Sequence, residues 1–173
     1  MNHVKKLVWY VLPVIVCAGV IFSFSAQTYQ EQDMTPWLKD IGEHPVVHQL
    51  SGVKFDYGGK EISIKALGPA HFVEFFIRKG AHFSVYFILG LLTARALLSY
   101  VQSKKKAIFV SVLFCFLYAC SDEFHQGFTG GRTPLFSDVL IDSAGGLSGT
   151  LLFLWVFMKI RTTHRKHVVQ KFV

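Results

Sequence analysis

The chain has 173 residues, 51% of them hydrophobic and only 17% charged, with a mean hydropathy of +0.39. The length fits one domain, and the long apolar runs exclude an ordinary soluble fold. The formal net charge is +7, but the lysines and arginines cluster at the flanks of the apolar runs, so the basic balance reads as membrane topology and excludes nucleic acid as a partner.

In chain order, "LVWYVLPVIVCAGVIFSF" follows Lys5 and Lys6. Its apolar core is longer than a signal peptide's and "SFSAQ" is a poor cleavage site, so it predicts a retained transmembrane helix over 7–24, kinked at Pro13. The polar stretch 25–69 comes next. Within it, "TPWLKDIGEH" predicts a short helix capped by Thr35, with Pro36 at its first position. "VKFDYGGKEISI" alternates around Gly58-Gly59 and predicts a β-hairpin. Three further helices are expected over 70–101, 106–126 and 138–159. Cys17, Cys115 and Cys120 all fall in apolar runs and read as small buried hydrophobes. The expected fold is a single all-α integral membrane domain over 1–173, with four transmembrane helices and an external loop at 25–69.

Orientation follows from charge. Basic clusters precede the first helix, separate the second from the third, and follow the fourth. Alternating helices place all three on one side, and the positive-inside bias makes that side cytoplasmic, with both termini inside. Helical rise then sets depths. Counted from Lys106, Asp122 and Glu123 stand roughly 24–26 Å up their helix. Counted from Lys159, Asp142 and Asp138 stand roughly 26 and 32 Å up. Counted from Lys104, Tyr86 and His82 stand roughly 27 and 33 Å up. All approach the external interface of a hydrocarbon core about 30 Å thick.

Spacing groups these residues further. Glu74, Arg78, His82 and Tyr86 form one i,i+4 stripe, as do Asp122 with Gln126 and Asp138 with Asp142. Charges at such depth must face one another or a wet cavity. One external-side pocket is therefore expected, holding Arg78, His82, Glu123, Arg132, Asp138 and Asp142. Gly145 and Gly149 form a Gly-x-x-x-Gly spacing that suits close helix packing and leaves a homo-oligomer open.

Three stretches carry a family resemblance: "FSFSAQ", "RKGAHFSVYFILG" at Arg78–Gly90, and "DEFHQGFTGGRTPLFSDVLIDSAGGLSG" at Asp122–Gly149. The matched positions are Arg78, Lys79, His82, Phe83, Asp122, Glu123, Gln126, Gly131, Arg132, Asp138, Val139, Asp142, Gly145 and Gly149. The sequence resembles the VanZ-like family of bacterial membrane proteins over most of its length. The 25–69 loop, with its hairpin, is longer than the family's usual connection. The resemblance implies a cell-membrane location and a contribution to glycopeptide (teicoplanin) resistance. It carries over no catalytic residue and no cofactor.

Roles are therefore assigned on chemistry. Arg78, Lys79, Gln126 and Arg132 are expected to bind an anionic membrane lipid or lipid-linked cell-wall intermediate. Glu123 with His82 is the acid–base pair if the protein is an enzyme. Asp138 and Asp142 are expected to orient the arginines or hold a cation, with Asp122 and Tyr86 supporting. No His-Glu-x-x-His signature is present, so no metal is named. The other reading is a non-catalytic interaction or scaffold protein, in which the same charges are a structural ion-pair network and the hairpin is the binding surface. A small transporter fits less well, because the polar stripe stops at Thr93 and Ser111.

Overall fold

The computed structural model describes residues 2–129 and 133–170, with side chains described as far as residue 160. Helix α1 (His3–Lys6), a wide π-helical turn (Leu7–Val11) and α2 (Leu12–Ser25) run on as one span. The wide turn lies immediately before Pro13, whose ring would meet the carbonyl of Trp9 in a regular helix. The backbone thus widens ahead of the proline. The span begins at His3, four residues earlier than its apolar run suggests.

Residues 26–68, between the first two spans, form a small folded segment external to the helix bundle. After a short 3-10 helix at Gln30–Gln32, Thr35–Glu43 forms a 3-10 helix broken at Leu38, and Met34 stands at its N-cap without a side-chain cap. The expectation that Thr35 caps a helix is corrected here. Its hydroxyl instead donates to Asp33 Oδ1 at 2.7 Å, and its amide donates to the same oxygen at 2.8 Å. Helix α3 (Pro45–Gln49) precedes the hairpin of β1 (Lys54–Tyr57) and β2 (Lys60–Ser63), which pair antiparallel with Lys54 opposite Ser63. Gly58 and Gly59 have φ of 61° and 76°. Positive φ at both central residues is what a two-residue type I′ hairpin turn requires. Ser63 then caps α4 (Ile64–Leu67) by accepting from the Ala66 amide.

Three long helices complete the chain: α5 (Pro69–Tyr100), α6 (Lys104–Gln126) and α7 (Phe136–Gln170). Among the described residues, four helices are long and apolar enough to cross a membrane: His3–Ser25, Pro69–Tyr100, Lys104–Gln126 and Phe136–Ile160. α5 has 32 residues, about 48 Å of helix. That exceeds the bilayer core of about 30 Å, and its first turns carry the segment that precedes it. There Phe55 and Tyr57 of β1 pack edge-on against Phe75 and Phe76 of α5, whose neighbour Phe72 is fully buried.

α5 and α7 run parallel and form the tightest interface, with α6 antiparallel beside them. Glycines set their separation. A Cβ on Gly145 would lie 2.3 Å from the Phe83 carbonyl oxygen, and one on Gly149 would lie 1.9 Å from that of Phe87. Gly90 of α5 faces the Gly146 carbonyl in the same way, at 2.0 Å. Backbone therefore rests on backbone, as small-residue helix interfaces in membranes do. Ser111 of α6 and Thr150 of α7 share a hydrogen bond at 2.8 Å, and both hydroxyls lie within 3.3 Å of the Gly90 carbonyl oxygen, tying three helices in an otherwise apolar layer. α2 sits at the periphery. It is fixed by the Tyr118 hydroxyl, which donates to the Ala18 carbonyl at 2.6 Å. Lys6 donates to the Ser99 carbonyl and lies over the Tyr100 ring, so the start of the first span and the end of α5 share one end of the bundle.

Candidate functional site

At the opposite end, a cavity of about 710 Å³ opens between α2, α5, the end of α6 and the external segment. Ile21, Phe24, Ile77 and Val85 give it apolar walls, and Arg78 and Lys79 face it. Arg78, His82 and Asp138, three of the residues expected in one pocket, line it, and the hydrogen bonds and ion pairs around it sort into three groups.

The first group is centred on Glu74, which is buried near the start of α5. It accepts from Arg78 Nε at 2.8 Å and Nη2 at 2.6 Å, an i,i+4 pair on one helix face. It also accepts from the Met34 amide at 3.3 Å and lies 3.2 Å from His71 Nδ1. Arg78 further donates to the Gln32 carbonyl at 2.7 Å, and its guanidinium lies 4.5 Å from the Tyr29 ring centroid. Arg78 thus clamps the 29–34 segment onto α5. Burial, helped by the charge on Glu74, raises the Tyr29 phenol above its ordinary range. The Thr35 hydrogen bonds hold Asp33 below its ordinary range.

The second group is centred on Asp138, in the first turn of α7, where the helix N-terminus favours negative charge. Its Oδ1 takes Lys79 Nζ at 2.5 Å and a hydrogen bond from the Tyr57 hydroxyl of the hairpin. Lys79 also lies over the rings of Tyr57 and Phe75, at 5.0 and 5.6 Å. Burial, reinforced by Asp138, raises the Tyr57 phenol well above its ordinary range. Nearby, Glu123 Oε1 accepts from the Leu135 amide at 2.6 Å, fastening the entry to α7 onto the end of α6.

The third group lies deepest. His82 Nδ1 is 3.5 Å from Asp142 Oδ1. Asp122 joins them, so that His82, Asp122 and Asp142 each offer a ligand atom within 4.8 Å of the others. Gln126 donates to Asp122 Oδ2 at 3.2 Å and to Ser25 Oγ at 3.3 Å. Tyr86, one turn below His82, is fully buried.

Several expected partnerships change as a result. Asp138 orients Lys79 and Asp142 meets His82, so neither holds Arg78, whose acid is Glu74. His82 is paired with Asp142, while Glu123 is engaged by a backbone amide. Gln126 is buried between Ser25 and Asp122 as well as lining the cavity. Arg132 and Gly131 lie outside the described residues. The Glu74–Arg78 clamp was legible as an i,i+4 pair. Tyr57 carried no such signal, because its partner lies 81 residues away.

The geometry places this polar end over a four-span bundle, and sequence comparison supplies the relationship. The profile of the VanZ/LLP1 family matches residues 10–158. The chain belongs to the VanZ/LLP1 family. The match takes in the second and third spans whole, most of the first and last, the segment between the first two, and every residue of the three groups. No curated protein matches the chain, and no solved structure does. Within this family member, the polar groups sit where α5, α6 and α7 approach one another at one end of the bundle.

Proposed function

We propose that this VanZ/LLP1 protein works at the outer leaflet of the bacterial cell membrane. There it binds an anionic lipid-linked molecule and contributes to glycopeptide (teicoplanin) resistance. Both termini are cytoplasmic in this reading. Lys5, Lys6 and Lys104 to Lys106 flank one end of the spans, the cavity opens at the other, and the positive-inside bias places the basic end in the cytoplasm. The observation that carries the reading is the cavity itself. Its apolar walls suit acyl chain, and Arg78 and Lys79 at its rim suit a phosphate or carboxylate head group. Lys79 would exchange Asp138 for the ligand's anion.

A second reading is supported by a specific observation: Arg78 and Lys79 already have acids of the chain as partners. In that reading the protein is a non-catalytic interaction or scaffold protein, and the charges fasten its external segment. One substitution separates the two. Ala81 lines the cavity and stands outside the ion pairs, so Ala81→Phe fills the space without removing a charge. Teicoplanin sensitivity is measured in cells carrying wild type or Ala81→Phe at matched membrane abundance. Protection by wild type and its loss in Ala81→Phe is the expected result. Full protection by the variant overturns the lipid-binding reading and leaves the scaffold reading. Absence of protection by wild type overturns the resistance role.

A further inference from the structure

We propose that His82, Asp122 and Asp142 form a binding site for a single divalent transition-metal ion. The three residues come from α5, α6 and α7, and each offers a ligand atom within 4.8 Å of the others. Their proximity alone would not make a site. The second observation is what the burial leaves unmatched. Asp122 is 3% exposed, Asp142 1% and Tyr86 0%. Yet Asp122 Oδ1 and the Tyr86 hydroxyl make no hydrogen bond among the described residues, and Asp142 Oδ1 has only the 3.5 Å approach of His82 Nδ1. Buried polar atoms in folded proteins nearly always have partners.

Charge points the same way. Two buried carboxylates face one imidazole, and the neighbouring cations are engaged elsewhere: Lys79 by Asp138 and Arg78 by Glu74. A cation in the space would compensate both acids together. The surroundings also hold the donors in place. Gln126 engages Asp122 through Oδ2, leaving Oδ1 without a hydrogen bond among the described residues, and Ser25 holds Gln126 in turn. Outer contacts of this kind are what orient metal-bound carboxylates.

The donor set narrows the ion. One imidazole nitrogen with two carboxylate oxygens suits ions of the manganese-to-zinc series, whereas magnesium and calcium prefer oxygen alone. Metal–ligand distances of about 2.0–2.2 Å place donor pairs about 3–4 Å apart. Small side-chain rotations close the present spacing to that range. His82 also lines the cavity, which gives the ion an entry path and leaves a coordination position facing the cavity's contents.

The test uses full-length protein in detergent, freed of affinity tag and stripped with chelator. Zn2+ or Mn2+ is added, and bound metal is measured by mass spectrometry after desalting, beside the melting temperature. Wild type is expected to retain a single ion of at least one of the two metals and to melt higher with it. Asp142→Asn and His82→Gln are expected to bind at least about tenfold more weakly, and Glu61→Gln, paired with Lys54 on the hairpin, is expected to bind as wild type does. Asp142→Asn removes a buried charge from the stripped protein. Its metal-free melting temperature should therefore equal or exceed that of wild type while the metal-induced rise disappears. The proposal is overturned if wild type retains neither ion, or if Asp142→Asn and His82→Gln retain it as tightly as wild type. The readout is the metal itself, so it stands whether or not the cavity binds lipid.

Discussion

Gly149→Ala should loosen the helix interface on which the polar groups are built. Its Cβ would lie 1.9 Å from the Phe87 carbonyl oxygen and 3.1 Å from the Leu91 amide nitrogen, and both are backbone atoms that cannot rotate away. Restoring an ordinary contact requires α7 to withdraw from α5 by about 1.5 Å, and close-packed interiors resist such a shift. Overpacking of this kind costs typically about 1–3 kcal/mol, and backbone against backbone belongs at the upper end. Alanine's better helix propensity returns about 1 kcal/mol. The net loss is then about 2 kcal/mol, roughly 30-fold in the folded-to-unfolded ratio. The same withdrawal would carry Asp142 from its present 3.5 Å from His82 to about 5 Å, beyond ion-pair reach. The assay is reversible unfolding in mixed dodecyl maltoside and dodecyl sulfate micelles, followed by circular dichroism. Gly80→Ala is the control, since it lies on α5 with nothing within 4 Å of its added Cβ. It should be neutral or slightly stabilising. If Gly149→Ala is as stable as Gly80→Ala, the account of the α5–α7 interface is refuted.

Two further outcomes test the external segment. Lys79 and Asp138 are 23% and 16% exposed, so the pair is neither fully screened nor fully buried. Lys79→Met should cost about 1–3 kcal/mol and speed hydrogen exchange of the β1–β2 amides. The double substitution Lys79→Met/Asp138→Asn should restore part of the loss. Equal exchange in wild type and Lys79→Met would show that the hairpin is held by its aromatic contacts alone. The raised Tyr57 phenol gives an alkaline signature, because the folded state keeps a proton that the unfolded chain gives up. Its stabilising contribution is complete below the ordinary tyrosine value of about 10 and is lost as pH rises above it. Stability of wild type should therefore fall more steeply above about pH 10 than that of Tyr57→Phe. Parallel pH profiles would contradict the burial of the Tyr57 phenol against Asp138.

Much of this architecture is a local property of the chain. Span positions follow from uninterrupted hydropathy, and the hairpin follows from alternation around two glycines that alone tolerate positive φ there. The close approach at Gly145 and Gly149 follows from their spacing on one face of α7. The Glu74–Arg78 clamp is written at i,i+4. The 3-10 character of Thr35–Glu43 was not legible, because Thr35 had two uses for its hydroxyl and the nearby Asp33 took it. Nor was the partner of each acid. Helical depth placed Asp122, Glu123, Asp138 and Asp142 near one level, but level does not fix azimuth. The rotation of α5, α6 and α7 about their own axes is set by contacts between distant segments, such as Gly90 on Gly146 and Gly149 on Phe87. Those contacts send His82 to Asp142 and Lys79 to Asp138. They also bring Tyr57, 81 residues away in sequence, onto the same aspartate. The sequence by itself determined the spans, the hairpin and the end of the bundle where the charges lie. Only the packing of helix backbones decided which charges meet, because that depends on the relative rotation of helices and not on the order of residues within any one of them.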